Sequence, residues 1–141
     1  NGGGNGGMRG GRRCGSAYSY SQEYLSQDFE FLNNSQGKDH SFMNTGHVEL
    51  EPEMWIKKVG DGDIIITNKA NGNVFQFVNL LDGEIVYVDN QRHHIESLDS
   101  NIPRYDNFNN GYLRLERGRN ILNVVGDCKL QFRYRFLLLQ G

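Results

Sequence analysis

From Asp28 onward the chain alternates apolar and polar positions almost without interruption. In HVELEPEMWIKK, residues 47–58, Val48, Leu50, Pro52, Met54 and Ile56 share one face of an extended chain, while Glu49, Glu51, Glu53, Trp55 and Lys57 share the other, because successive strand side chains point to opposite faces. The pattern predicts a half-buried strand with an acidic outer face. DGDIIITN, NVFQFVNL and GEIVYVDN follow as shorter strands rich in Ile, Val, Phe and Tyr. Between them NKANGN and LLDG supply residues that tolerate the positive φ of tight turns. Alternation sends Phe75 and Phe77 inward, with Val74, Gln76 and Val78 competing for the other face.

The end of the chain predicts two hairpins. In GYLRLERGRNILNVVG, residues 111–126, Leu113 and Leu115 point inward, Arg117-Gly118-Arg119-Asn120 turns the chain, and a second strand runs to Val125. After Gly126-Asp127, KLQFRYRF turns Leu130, Phe132, Tyr134 and Phe136 inward and Lys129, Gln131, Arg133 and Arg135 outward. If the first and last of these strands are neighbours, Glu49, Glu51 and Glu53 lie near Arg133 and Arg135. No window of a dozen residues carries a 3.6-residue period with caps. The chain is therefore all-β, a two-layer antiparallel β-sandwich or jelly roll. Its expected core includes Met54, Ile56, Phe75, Phe77, Leu113, Leu115, Phe132 and Tyr134.

Composition narrows this picture. The 141 residues are 37% hydrophobic and 11% aromatic, enough for one domain with a modest core. With 15 Lys+Arg against 17 Asp+Glu, no general cationic field favours nucleic acid or an anionic membrane. The run LLL at 137–139 is far shorter than a bilayer span. Residues 1–27 form the expected arm or linker: NGGGNGGMRGGRRCGS is half glycine and has nothing to offset its ordering entropy. The sandwich is expected over 28–141. Arg9, Arg12 and Arg13 with Tyr18 and Tyr20 resemble an RGG-type nucleic-acid cluster, but one short cluster reads more simply as a solvated tether. A Cys14–Cys128 bridge is not expected, since one cysteine sits in that arm and the other in a strand pattern.

The candidate chemistry is sparse. His40, His47, His93 and His94 lack metal-helix or zinc-ribbon spacing. Adjacent strand residues such as His93 and His94 face opposite ways and cannot share one ion without a bulge. Asp61-Gly-Asp63 and Asp82-Gly lack the further ligand positions of a calcium loop and suit hairpin turns. No GxSxG elbow and no phosphate-binding glycine loop between strand and helix is present. A non-enzymatic domain without metal or cofactor is expected. Trp55 is the exception to the alternation, a large aromatic on the face of Glu53 and Lys57. Either a loop or a bulge removes it from solvent, or it is a contact site for a partner protein or a sugar ring.

The order of the motifs carries a further signal. MNTGHVELEPEMWI, IIITNKANGNVFQF, GEIVYVDNQ and YLRLERGRNILNVVGDCKLQFRYRFLLL, in that sequence, resemble the C-terminal domain of siphophage distal tail proteins (Dit) over residues 28–141. The positions that match are Asn44, Gly46, Pro52, Ile56, Asn68, Gly72, Asp89, Leu115, Gly118, Asn120, Gly126, Tyr134 and Arg135. Ala70-Asn71-Gly72 stands where the family often has Thr-Gly, which keeps the turn. The family's ring-forming N-terminal belt domain and a counterpart of the Gly/Arg-rich arm are not matched. The resemblance implies a galectin-like or carbohydrate-module-like sandwich, made in the host cytoplasm and built into the virion at the tail tip or baseplate. There it would sit at the periphery of a hexameric hub between the tail tube and the tail-associated fibre or lysin protein, carrying receptor-binding proteins. The ring contacts would belong to the belt, so residues 28–141 alone would be monomeric. The alternative is a carbohydrate-binding module that touches host cell-wall saccharides through Trp55, since a fold does not by itself confer sugar binding.

Overall fold

The computed structural model describes residues 19–98 and 102–140, with backbone alone for 19–25 and 135–140. Nine strands are present among the described residues: β1 (Ser19–Phe31), β2 (Lys38–Asn44), β3 (Glu53–Lys58), β4 (Gly62–Asn68), β5 (Asn73–Leu80), β6 (Ile85–Asp89), β7 (His94–Ser97), β8 (Gly118–Val125) and β9 (Cys128–Gln140), with one 3-10 turn at Tyr105–Asn107. They form a five-stranded sheet, β1-β9-β3-β6-β7, and a four-stranded sheet, β2-β8-β4-β5. Every pairing is antiparallel. The fold is the expected two-layer β-sandwich.

The core lies between the sheets, and all eight expected residues are in it. From the five-stranded sheet come Met54 and Ile56 of β3, Val86 and Val88 of β6, and Leu130, Phe132 and Tyr134 of β9; from the other come Phe42, Ile64, Ile66, Phe75, Phe77, Leu122 and Val124. Pairing decides the competition within β5. Ile64 stands opposite Phe77 and Ile66 opposite Phe75, so both rings share the buried face of the isoleucines. Phe42 packs against Phe132 and Tyr134 with ring centroids 5.6 and 5.2 Å apart. Cys128 is a buried free thiol, and its burial pushes its pKa up to about 12. Cys14 and the arginines of the arm lie outside the described residues.

Four expectations about elements change. Of the strand expected over 47–58, only β3, Glu53–Lys58, forms. Pro52 has no N–H to extend the ladder, and its carbonyl accepts Asn90 Nδ2 at 2.7 Å. The chain before it crosses the end of the sandwich, leaving Val48 exposed and Leu50 paired with Leu115 in an isolated bridge. The hairpin expected over 111–126 is likewise only half strand. Leu113 and Leu115 are buried as expected, but their segment forms no ladder with β8. Nor do β8 and β9 form a hairpin, since they belong to different sheets. Gly126-Asp127 is a crossover between layers, where Gly126 holds φ +115° and a Cβ would fall 2.4 Å from the Asp63 carbonyl oxygen. Finally, β1 begins at Ser19, within the stretch expected as arm, and pairs with β9 from Ser19↔Gln140 to Phe31↔Cys128.

Candidate functional site

Strand register arranges the outer face of the five-stranded sheet as aligned rows. One row crosses all five strands: Asp28, Gln131, Trp55, Tyr87 and Glu96. The next holds Ser26, Arg133, Glu53, Asp89 and His94. On the other side lie Glu30, Lys129, Lys57 and Ile85. Trp55 therefore sits on the outer face at the centre of the sheet. The register from Glu53 to Lys57 is continuous on both sides, which removes a bulge as the explanation of its position. The aromatic is half-buried against its neighbours.

Glu53 organises this face. Its Oε1 accepts Arg133 Nη2 at 2.6 Å and Nε at 3.0 Å, and its Oε2 accepts the Tyr87 hydroxyl. Arg133 then lies over Trp55, 5.6 Å from the ring centroid, and Tyr87 packs beside it with centroids 5.1 Å apart. Burial raises the Glu53 carboxyl, but the bonds from Tyr87 and Arg133 outweigh it and hold the pKa below the ordinary value. Burial, the hydrogen bond to Glu53 and its charge push the Tyr87 phenol upward. Of the expected pairings between glutamates and arginines, Glu53 with Arg133 is formed. Glu49 and Glu51 precede the strand, and the Arg135 side chain lies outside the described residues.

Two depressions flank the aromatic pair. One, of about 540 Å³, lies over Trp55 between Asp28, Lys57, Ile85, Leu98 and Gln131. The other is an acidic groove of about 380 Å³ at the end where the crossing segment meets the sheet, lined among others by Glu49, Glu51, Glu53, Asp89, Arg92 and Arg133. The three elements thus offer a flat aromatic, a fixed guanidinium and unneutralised carboxylates on one surface. Tyr87 and Arg133 join Trp55 only through register, although Arg133 stood at an outward position of the alternation.

The family-motif positions lie mostly elsewhere, around the crossing segment 111–118, of which Leu113 and Leu115 are buried. Asn68 Nδ2 donates to the Arg114 carbonyl at 2.8 Å and to Asn120 Oδ1 at 3.0 Å. Asn120 Oδ1 accepts Glu116 N at 2.8 Å, and its Nδ2 donates to the carbonyls of Glu116 and Gly118. Asn44 Nδ2 donates to the Val48 carbonyl at 2.9 Å, and its Oδ1 accepts Gly46 N at 3.0 Å. Leu115 exchanges backbone bonds of 2.8 and 2.7 Å with Leu50. Gly72 and Gly118 hold φ of +75° and +85° at their turns, and Asp89 Oδ1 caps the Gln91 and Arg92 amides. Pro52 immediately precedes β3, while Ile56 and Tyr134 are core. Asn90, unmarked by any motif, completes the clamp by accepting Leu113 N at 2.8 Å.

Other titratable groups also have structural roles. Asp61, Asp63 and Asp82 each accept a turn amide, at 2.7 to 2.9 Å. His93 stacks on Tyr112 at 4.1 Å in the turn before β7, and His94 opens that strand. Sequence reasoning missed the buried pair of Glu84 and Arg104, whose side chains are 4% and 6% exposed. Arg104 donates to both carboxylate oxygens, at 2.6 and 2.7 Å, while Leu81 N and Ser97 Oγ complete the Glu84 shell. Among the described residues no group of three or more potential metal ligands occurs.

The chain is thus a two-layer antiparallel sandwich with a closely packed interior and one polar-aromatic outer sheet face. A family model for the phage tail C-terminal domain matches residues 17–134, and the chain belongs to that family. It is 31% identical over 123 residues to the SPbeta prophage-derived uncharacterized protein YomH of Bacillus subtilis (strain 168), a match covering 86% of this chain and 48% of that protein. Its fold is similar to the crystal structure of SPP1 Dit, described as a paradigm of the hub adsorption apparatus in phages infecting Gram-positive bacteria. That likeness has a TM-score of 0.59 at 12% identity, over 87% of this chain and 50% of that one. The chain spans about half the length of each. The resemblance to distal tail proteins is thus borne out in family and fold.

Proposed function

We propose that this chain is the peripheral sandwich of a distal tail hub protein, with a structural and not a catalytic role, and that the outer face of its five-stranded sheet docks another tail-tip protein such as a receptor-binding or fibre protein. The observation that carries the reading is the fixed cluster of Trp55, Tyr87 and Arg133 around Glu53. Trp, Tyr and Arg dominate the energetics of protein interfaces, and here one carboxylate orients the other two side chains before any partner arrives. In the full-length protein the hub would be hexameric through its other half, so that six copies of this face surround the tail axis.

Lys57 and Lys129 lie on the proposed surface. Cross-linking mass spectrometry of assembled virions should join them to a second tail protein, and Trp55→Ala should weaken that association by about 2 kcal/mol or more. Virions in which neither lysine reaches a second protein, and in which Trp55→Ala changes nothing, refute the docking reading. A saccharide is the second reading, favoured by the polar side chains of Asp28, Lys57 and Gln131 beside the Trp55 ring. Retention on host cell wall that disappears in Trp55→Ala would select it.

A further inference from the structure

The outer face of the four-stranded sheet differs in chemistry from the aromatic and charged outer face of the other sheet. Register sets Thr67 between Asn123 and Val74, and Ile65 between Val125 and Gln76, with Ile121 beside Ser41. Ile65, Thr67, Val78, Ile121 and Val125 are half-buried and Val74 is 40% exposed, so the middle of this face is aliphatic. Charge is confined to the margin and largely satisfied there. Asp39 accepts Lys69 Nζ at 3.0 Å and Asn123 Nδ2 at 2.8 Å, Asp63 accepts Asn79 N at 2.9 Å, and Arg119 donates to Ser41 Oγ at 3.2 Å. The sheet spends its other face on the core, and no described strand lies over this one.

A charge-poor centre inside a polar margin is the composition of an interface core. The margin balances Asp39 and Asp63 against Lys69 and Arg119, so the face needs no complementary field and an identical face satisfies it. Two equally twisted sheets also pack well face to face, about 10 Å apart. Area then limits the strength. Four strands about 4.8 Å apart, each giving about five residues at about 3.4 Å of rise, present roughly 300 Å² in projection. Two such faces fall short of the roughly 1,200–2,000 Å² that a stable complex buries. A free partner is therefore held too loosely by this face, whereas a copy already tethered nearby is not. We infer that the outer face of the four-stranded sheet is a weak self-association surface, on which a second copy of this chain docks about a two-fold axis near Thr67. This rests on the hub reading above, in which several copies are held in one particle.

A contact of this kind, with a dissociation constant of about a millimolar, is nearly empty when the chain is free at micromolar concentration. It fills when a tether raises the effective concentration of the second copy to the millimolar range. The isolated chain is then monomeric in dilute solution, and the surface acts only within the assembled particle.

Amide NMR of the full 141-residue chain between about 20 µM and about 1 mM tests this. Resonances of residues 63–67, 74–78 and 121–125 should shift progressively with concentration, while those of 53–57 and 85–89 stay fixed. Thr67→Lys sets like charges against each other across the axis and should reduce the shifts at least about five-fold. Ile121→Lys, on the neighbouring strand, should do the same, and the amide dispersion of each variant verifies that it is folded. Trp55→Ala should leave the shifts unchanged. Failure of the docking reading, seen as missing cross-links from Lys57 and Lys129, also leaves them in place. Shifts that are absent at every concentration, that persist in either folded lysine variant, or that fall on β3 and β6 instead overturn the inference.

Discussion

Replacing Arg104 by Leu should strip a buried carboxylate of its counter-charge. Glu84 is almost fully enclosed and receives two charge-assisted bonds from the Arg104 fork, of 2.6 and 2.7 Å. The bonds from Leu81 N and Ser97 Oγ remain after the substitution, but they do not neutralise the charge. Removing one partner of such a pair costs about 3–5 kcal/mol, which for a domain of this size is roughly 10–15 °C in midpoint.

The pH dependence gives this prediction its sign. Burial raises the Glu84 carboxyl, yet Arg104, Leu81 N and Ser97 together hold it below its ordinary value. In the wild type this lowered pKa contributes stability above the ordinary carboxylate range, and the contribution is lost as pH falls through the folded value. Without Arg104, desolvation dominates and the folded pKa rises, so acidification neutralises the stranded group and relieves the variant. Urea unfolding followed through the chain's one tryptophan should show a large deficit near pH 7 that shrinks toward pH 4.5. Glu84→Leu/Arg104→Leu should recover much of the loss at neutral pH, since an apolar pair replaces the ion pair without a bare charge. A deficit under about 1 kcal/mol, or one that widens on acidification, would refute the assignment of this pair as a desolvated, mutually dependent unit.

Other substitutions probe separate parts of the molecule. Phe132→Ala should cost about 3–5 kcal/mol in denaturant unfolding, because the ring fills the interior between Phe42 and Phe29; a cost below about 1 kcal/mol would contradict that packing. Gly111→Ala should prevent the crossing segment from seating, since its Cβ would lie 1.8 Å from the Val74 carbonyl oxygen, and a near-native midpoint would show that the segment can shift. The hydrogen bond and charge of Glu116 raise the Glu49 pKa, so the wild type loses stability as pH rises through that folded value. Glu49→Gln should stabilise the fold by a few tenths of a kcal/mol at neutral pH, water screening the pair, with the gain vanishing in acid; a gain that grows in acid would reverse the argument.

Much of the sandwich was legible because a strand writes its two faces into the chain at a fixed period of two. Met54 and Ile56, Phe75 and Phe77, and Phe132 and Tyr134 all bury the face their alternation assigned. Pairing was less legible, because local alternation says nothing about which strand lies alongside. Gly126-Asp127 resembles a hairpin turn, yet it passes the chain from one sheet to the other. Leu113 and Leu115 alternate like strand residues because one side of their segment faces the core, not because a neighbouring strand pairs with it. Glu84 and Arg104 are twenty positions apart with no periodic relation, so only the folded chain reveals them as partners.

The asparagines show why motifs recognised as turn chemistry can have a longer-range role. Asn68 serves its own turn by accepting Ala70 N at 3.0 Å, while its Nδ2 reaches a carbonyl 46 positions away. A short side-chain amide presents one acceptor and two donors, as a peptide group presents acceptor and donor, so a set of them can satisfy a backbone that has no neighbouring strand. That is the condition of segment 111–117. It must cross the end of the sandwich to bury Leu113 and Leu115, and Asn44, Asn68, Asn90 and Asn120 supply bonds that a ladder would otherwise provide. Replacing any of them by an aliphatic residue leaves buried peptide groups unmet, whereas outer-face residues such as Gln131 can change at little cost to the fold. The chain therefore separates two demands: a clamp of buried amides holds the crossing segment to the scaffold, and the outer sheet face is left free of that task.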